Sequence, residues 1–305
     1  MTTLVPPPLR PGDRVAVVAP GGPPRRAALL RGIAWLEQRQ FVVDRGAHVL
    51  DRRGYLAGDD AGRADDLNRA FADPGLKAVW FARGGYGSQR ILPRIDFSQL
   101  RSHPKALIGY SDVTVLQAAA WRFAGLSTLH GPMVAELADS SAYDATSLAR
   151  ALSGAPVEFA LPRRTVLRAG RGEGPIVGGC LSLLVGLIGT PFDLETRGAI
   201  LFWEDVNEEP YRIDRMLAHL RLAGRLHGLQ GMVIGRLPGC RARRRENDIP
   251  LADILKSHLQ GTDYPVVVDF PAGHARRKVT LPLGRAARLD TFARRLAIDG
   301  AANAP

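Results

Sequence analysis

The sequence predicts an α/β protein in two parts, an N-terminal parallel sheet flanked by helices and a second, β-rich mixed domain. Three observations predict it. Apolar runs of strand length alternate with helical periods through the first half. From about residue 156 that order gives way to an arginine- and glycine-rich stretch with no helical period. Strands and helices then resume, and 305 residues are more than one core usually fills.

Residues 13–20, DRVAVVAP, read as a buried strand stopped by Pro20 and Gly21. ALLRGIAWLEQR has helical spacing, and FVVDRG is a second strand. GRADDLNRAFAD is a helix with Leu67, Ala70 and Phe71 on one face. KAVWFARGG and KALIGYSD are the third and fourth strands. Such alternation builds flavodoxin-like or glutamine-amidotransferase-like sheets, where ligands bind beyond the carboxyl ends of the strands. The expected boundaries are 1–160 for the first domain, 161–174 for a linker and 175–305 for the second domain. GPIVGGCLSLLVGLIGTP opens the second domain as a helix with Leu181, Leu184, Val185 and Ile188 on one face. AILFWED is a strand, and in the helix YRIDRMLAHLRLAG residues Ile213, Met216, Leu217 and Leu220 align before a stop at Gly224. LQGMVIGRL and YPVVVDFPAG are further strands, there is no internal repeat, and the tail AANAP is expected to fray.

Composition narrows the function. No apolar run approaches the roughly 18 residues that cross a bilayer. The first residues lack a secretory signal, so a cytoplasmic protein without a membrane partner is expected. Two cysteines, Cys180 and Cys240, make no disulfide framework, and Cys180 is expected to be a buried small hydrophobe. The formal charge of +11 comes largely from scattered arginines, with one knot at 241–245 that reads as a solvated loop. No zinc-finger spacing, aromatic RNA-binding signature or basic heptad accompanies them, so no nucleic-acid partner is expected. The charge can still steer acidic small substrates. Nothing resembles a metal site, and no cofactor is expected.

Five turns or strand ends carry candidate chemistry. Ser111, in Gly109-Tyr110-Ser111-Asp112, stands between a strand and a helix. It can cap that helix, as can Asp112, or it can be a nucleophile on a tight turn. The turn is not G-x-S-x-G, because Val113 occupies the last position. The loop Arg83-Gly84-Gly85-Tyr86-Gly87-Ser88 is neither a P-loop nor G-x-G-x-x-G. It is a plain turn, or a place where bare N–H groups of Gly84 and Gly85 approach a ligand. Among seven histidines, His48, His103, His219, His227 and His258 fall in charged or helical surface contexts. His130 and His274 follow strands, where a base for the serine could sit. Glu204-Asp205 follows AILFW; these acids could hold a catalytic imidazole, cap a helix, or pair with Arg212 and Arg215.

In order and spacing, GDRVAVVAP, FARGGYGSQRILP, KALIGYSDVT, LHGPM, GGCLSLL, LFWEDVNEEPYRIDRML and FPAGHARRKVTLPLG resemble the LD-carboxypeptidase family from about Pro11 to Leu289. These serine peptidases include murein-recycling enzymes and the microcin C immunity proteins. The resemblance implies Ser111 as nucleophile, His274 as base and Glu204 as the acid. It implies the N–H groups of Gly85 and Asp112 as the oxyanion hole, a site built from both domains, and a homodimer. A murein peptide is the implied substrate. Gly84 and Tyr86 are expected at the substrate, and Arg83 or Arg276 is expected to hold a terminal carboxylate. A microcin-like peptidyl-nucleotide substrate and a non-catalytic muropeptide sensor remain alternatives. One departure is the loop Gly273-His274-Ala275-Arg276-Arg277-Lys278, where many relatives have G-H-G-x-x-N-x-T.

Overall fold

Apolar runs without alternation belong in a sheet covered on both faces, and the first-half strands sit in one. The computed structural model describes residues 3–242 and 249–301. Its first sheet runs in the order Leu281–Leu283, Thr128–His130, Ala106–Gly109, Leu76–Phe81, Arg14–Val18, Val42–Arg45. The five strands from the first half are parallel. Leu281–Leu283 arrives from the far end of the chain and pairs antiparallel with Thr128–His130. The glycine loop and the Ser111 turn follow strands that are neighbours in this sheet.

Helix Asp60–Ala72 shows how the flanking layer is fixed. Asp59 caps its start by accepting the Gly62 N–H at 2.8 Å. At its other end the buried Lys105 ammonium donates to the carbonyls of Ala70, Phe71 and Asp73 at 2.7–2.9 Å. Orphan carbonyls at a helix end are thereby satisfied without water.

The second sheet is mixed. Its order is Val157–Ala160, Arg295–Ile298, Ala286–Asp290, Arg171–Cys180, Ile200–Glu204, Gly231–Gly235, Val266–Phe270, Val166–Arg168. The four strands from Arg171–Cys180 to Val266–Phe270 are parallel, and the outer ones are antiparallel. Strand Val157–Ala160 and the strands within 161–174 all pair in this sheet. Helix Pro210–Leu222 buries Ile213, Met216, Leu217 and Leu220, and Gly224 follows it at φ +72°. No helix among the described residues is long and apolar enough to cross a membrane. Arg243, Arg244 and Arg245 of the basic knot and residues 302–305 of the tail lie outside the described residues.

Two expectations need correction. The stretch GPIVGGC is strand rather than helix, and the helix is only Leu181–Leu187. The glycines explain it: a β-carbon on Gly179 would strike Thr114, whose Oγ1 accepts the Cys180 N–H at 3.1 Å. This contact brings the second sheet against the helix that follows Ser111. Cys180 is buried, as expected, but at the end of a strand. His258 is not a surface residue; it is buried, with Nε2 2.5 Å from Asp214 Oδ1.

The placement of Leu281–Leu283 matters most for the site. The chain leaves the second sheet at Phe270 and enters the first at Leu281, so residues 271–280 bridge the two. Thr280 N–H donates to Ser147 Oγ at 3.0 Å and Asp144 N–H to Lys278 O at 2.8 Å, which pins the bridge to the first domain. His274 lies within it.

Candidate active site

After strand Ala106–Gly109 the chain turns abruptly. Tyr110 is extended, at φ −154° and ψ −172°, and Ser111 then takes φ +65°. That left-handed conformation costs a non-glycine residue about 1–3 kcal/mol unless its surroundings impose it. Here Gln117 Nε2 donates to Gly109 O and Leu129 O, each at 3.0 Å, and ties the following helix to the strand ends. Neither Ser111 nor Asp112 caps helix Thr114–Ala124; Val113 precedes it, without a side-chain bond.

Asp112 instead faces the glycine loop. Its carboxylate accepts the Gly87 N–H at 3.2 Å, the Ser88 N–H at 2.9 Å and the Ser88 hydroxyl at 2.6 Å. From the other side, buried Arg63 donates to Gly87 O at 2.9 Å. The peptide groups around Gly87 are therefore held at both N–H and C=O. Burial raises the Asp112 pKa above its ordinary value, against the opposing pull of these bonds and of Arg63.

Glu204 ends strand Ile200–Glu204 and is fully buried. Its Oε2 accepts the backbone N–H of His274 at 3.0 Å and lies 2.8 Å from His274 Nδ1. Oε1 has no partner among the described residues, so the hydrogen bonding of this carboxylate is directed at His274. Such closeness depends on Gly273, at φ +87°, because a β-carbon there would fall inside the carboxylate. On the other edge of the ring, Nε2 lies 3.1 Å from Ser111 Oγ. With Nδ1–H donating to Glu204, the neutral ring presents Nε2 as an acceptor to the hydroxyl. Burial pulls the His274 pKa down, but the hydrogen bond and charge of Glu204 outweigh it, and the net shift is upward from 6.5.

Neighbouring groups frame this chain. Tyr110 packs edge-on to the His274 ring at 5.0 Å. Its hydroxyl donates to Glu136 Oε1 at 2.9 Å, and the same oxygen accepts from Lys278 Nζ at 2.7 Å. His130 packs between Tyr110 and Phe202 with neither ring nitrogen bonded among the described residues. Burial drives its pKa down to about 3, so it is a neutral core ring. Asp205 accepts the Ser182 N–H at 2.8 Å at the start of helix Leu181–Leu187. Arg212 pairs with Glu208.

A cleft of about 490 Å³ opens at Ser111 and His274. Arg83, Gly84 and Gly85 line it. Tyr86 does not; its exposed ring packs on Tyr55 with centres 5.8 Å apart. Arg276 is exposed and also absent from the lining. Sequence reasoning missed Arg25 and Glu136, which do line the cleft. Arg25 did leave a signal, since an arginine occupies a helix N-cap where Ser, Thr, Asp or Asn is usual.

Chemically, the arrangement can pass a proton from the serine hydroxyl to the imidazole while a buried carboxylate stabilises the resulting cation. The N–H groups of Gly85 and Asp112 donate to no backbone or side-chain acceptor among the described residues. Gly85 lies in the cleft wall and Asp112 follows Ser111 directly in sequence.

Known proteins resemble the chain along most of its length. The family model described as the LD-carboxypeptidase N-terminal domain matches residues 15–131, and that of the LD-carboxypeptidase C-terminal domain matches 173–289. A Bacillus subtilis relative named "Probable murein peptide carboxypeptidase" is 38% identical, over 93% of this chain and 90% of its own. The crystal structure of muramoyltetrapeptide carboxypeptidase from Oxalobacter formigenes superposes with a TM-score of 0.85 at 30% identity, covering 94% of this chain and 98% of that one. The microcin C7 self-immunity protein MccF, in complex with glutamyl sulfamoyl guanosine, gives 0.86 at 23% identity, over 97% and 98% of the two chains. The last likeness is one of fold.

Proposed function

We infer the function from one premise: the chain belongs to the LD-carboxypeptidase family. It is a peptidase. We propose that it removes the C-terminal D-amino acid from a murein tetrapeptide, cutting the amide bond that joins it to an L-centre. The observation that carries this reading is the unbroken chain Ser111 Oγ–His274 Nε2–Glu204, with links of 3.1 and 2.8 Å.

In this mechanism His274 Nε2 takes the Ser111 proton as Oγ attacks the scissile carbonyl carbon. Glu204 holds the ring tautomer and stabilises the imidazolium. Negative charge collects on the former carbonyl oxygen and is met by the N–H groups of Gly85 and Asp112, each worth about 3 kcal/mol of barrier. The amide bond breaks as His274 returns its proton to the leaving amine. Water, activated by the same imidazole, then attacks the acyl-serine ester and frees the shortened peptide. The setting of the proposal is cell-wall recycling in the cytoplasm, with a homodimer as the working form.

The test compares kcat/KM for a murein tetrapeptide with that for a peptidyl-nucleotide, alongside labelling by a serine-directed fluorophosphonate. Preference for the tetrapeptide supports the proposal, and preference for the peptidyl-nucleotide replaces the substrate while keeping the mechanism. Tight muropeptide binding without Ser111 labelling or turnover would instead make the protein a sensor.

A further inference from the structure

A carboxypeptidase recognises a free carboxylate one residue beyond the bond it cuts, about 3.8 Å from Cα to Cα. Whatever holds that carboxylate must line the same cleft as Ser111. Among the described residues, the charged or chargeable side chains of Arg25, Arg83, Glu136 and His274 do, beside the Tyr110 phenol that donates to Glu136. Glu136 is already neutralised by Lys278 at 2.7 Å, and His274 is engaged by Glu204 at 2.8 Å. The two arginines are different. The Arg25 side chain has no hydrogen-bond or ion-pair partner among the described residues. Among the described residues Arg83 donates only to a neutral carbonyl, Pro23 O, at 2.9 Å. That bond ties Arg83 to the Pro23-Pro24-Arg25 segment, and both arginines line the cleft.

A second feature adds to this wall. Arg25 is the N-cap of helix Arg26–Glu37, makes no side-chain cap bond, and is followed by a first turn with no acidic residue. Helix starts favour negative charge, usually supplied by Asp or Glu in that turn or by an oxygen-bearing cap. Here the chain supplies cations instead, and Ala28 of the first turn lines the cleft.

We propose that Arg25 and Arg83 together form the site for the substrate's terminal carboxylate, with Arg25 as the residue that selects a free acid over a blocked end. The proposal rests on the carboxypeptidase reading above. A guanidinium suits the task because its planar fork meets both carboxylate oxygens. Arg276, outside the lining, has no part in it.

Binding separates this inference from the catalytic one. The protein with Ser111→Ala cannot form the acyl-serine, so calorimetry on it compares a murein tetrapeptide with the same peptide carrying a C-terminal amide. The free acid is expected to bind about 10- to 100-fold more tightly, as for a charge-assisted hydrogen bond. Adding Arg25→Ala should remove most of that preference, lowering the acid's affinity far more than the amide's. Arg83→Ala should do the same, and Arg25→Lys should recover part of it. Equal binding of acid and amide, or a preference that survives Arg25→Ala, overturns the proposal. Failure of the wild-type protein to turn over the tetrapeptide would overturn the proposed activity, whatever the binding result.

Discussion

Glu204 Oε2 lies 2.8 Å from His274 Nδ1 and 3.0 Å from the His274 backbone nitrogen. One oxygen therefore fixes both the ring and the backbone that carries it. Glu204→Gln keeps the shape but can turn an NH2 toward Nδ1, which favours the wrong tautomer. The expected result is a fall in kcat/KM of about 100- to 10,000-fold with the fold intact. D-alanine release and thermal melting of the same sample check it.

The same pair sets a pH dependence. Only neutral His274 can accept the serine proton, and its pKa is raised, with Glu204 outweighing burial. Activity should thus decline on acidification with a midpoint above about 6.5, the ordinary histidine value. In Glu204→Gln the larger raising influence is gone and only the charge of Asp205 remains against burial, so the residual activity should decline at lower pH. A profile of kcat/KM against pH reads both midpoints, and an unshifted acid limb in the variant would argue against the pairing.

Gly273→Ala should disable the site from one atom. The new methyl would occupy the space of the Glu204 carboxylate, on a residue at φ +87°. Strain of about 1–3 kcal/mol is expected, relieved by displacing His274. Fluorophosphonate labelling should slow more than the loss in melting temperature would explain.

Asp112→Asn tests the loop clamp. An amide cannot accept from all of Gly87 N–H, Ser88 N–H and Ser88 hydroxyl as the carboxylate does. The loop carrying Gly85 should lose its fixed position relative to Ser111. Steady-state kinetics should show kcat down by about 10- to 100-fold with a smaller change in KM. Ser88→Ala, which removes one of the three bonds, should fall between the two proteins. A variant that melts lower but keeps its kcat would reduce Asp112 to a structural role.

Much of this arrangement was legible because chemistry-bearing residues sit where apolar strands end. Ser111 and the glycine loop follow unbroken apolar runs, and Glu204 closes another. Other features left little trace. Strand Arg171–Cys180 is rich in glycine, which carries no periodicity, so in the sequence its end merges with the helix that follows. Leu281–Leu283 is three residues with a central proline, too short to announce that it joins the other sheet, yet it draws His274 across the two domains. In the sequence His258 reads as exposed from its polar neighbours, because its tertiary partner Asp214 is 44 residues away. Arg25 reads in the sequence as one more arginine in a basic chain; its unusual N-cap position hints at a role, and the fold adds that it lines the serine's cleft.

D-alanine release from a murein tetrapeptide by wild-type and Ser111→Ala proteins, both shown to be folded, tests the central claim most directly. The account predicts release by the wild type and a fall of at least about 10,000-fold without the hydroxyl. Release by Ser111→Ala within about tenfold of the wild type would contradict it, because no route through the Ser111–His274–Glu204 chain then remains.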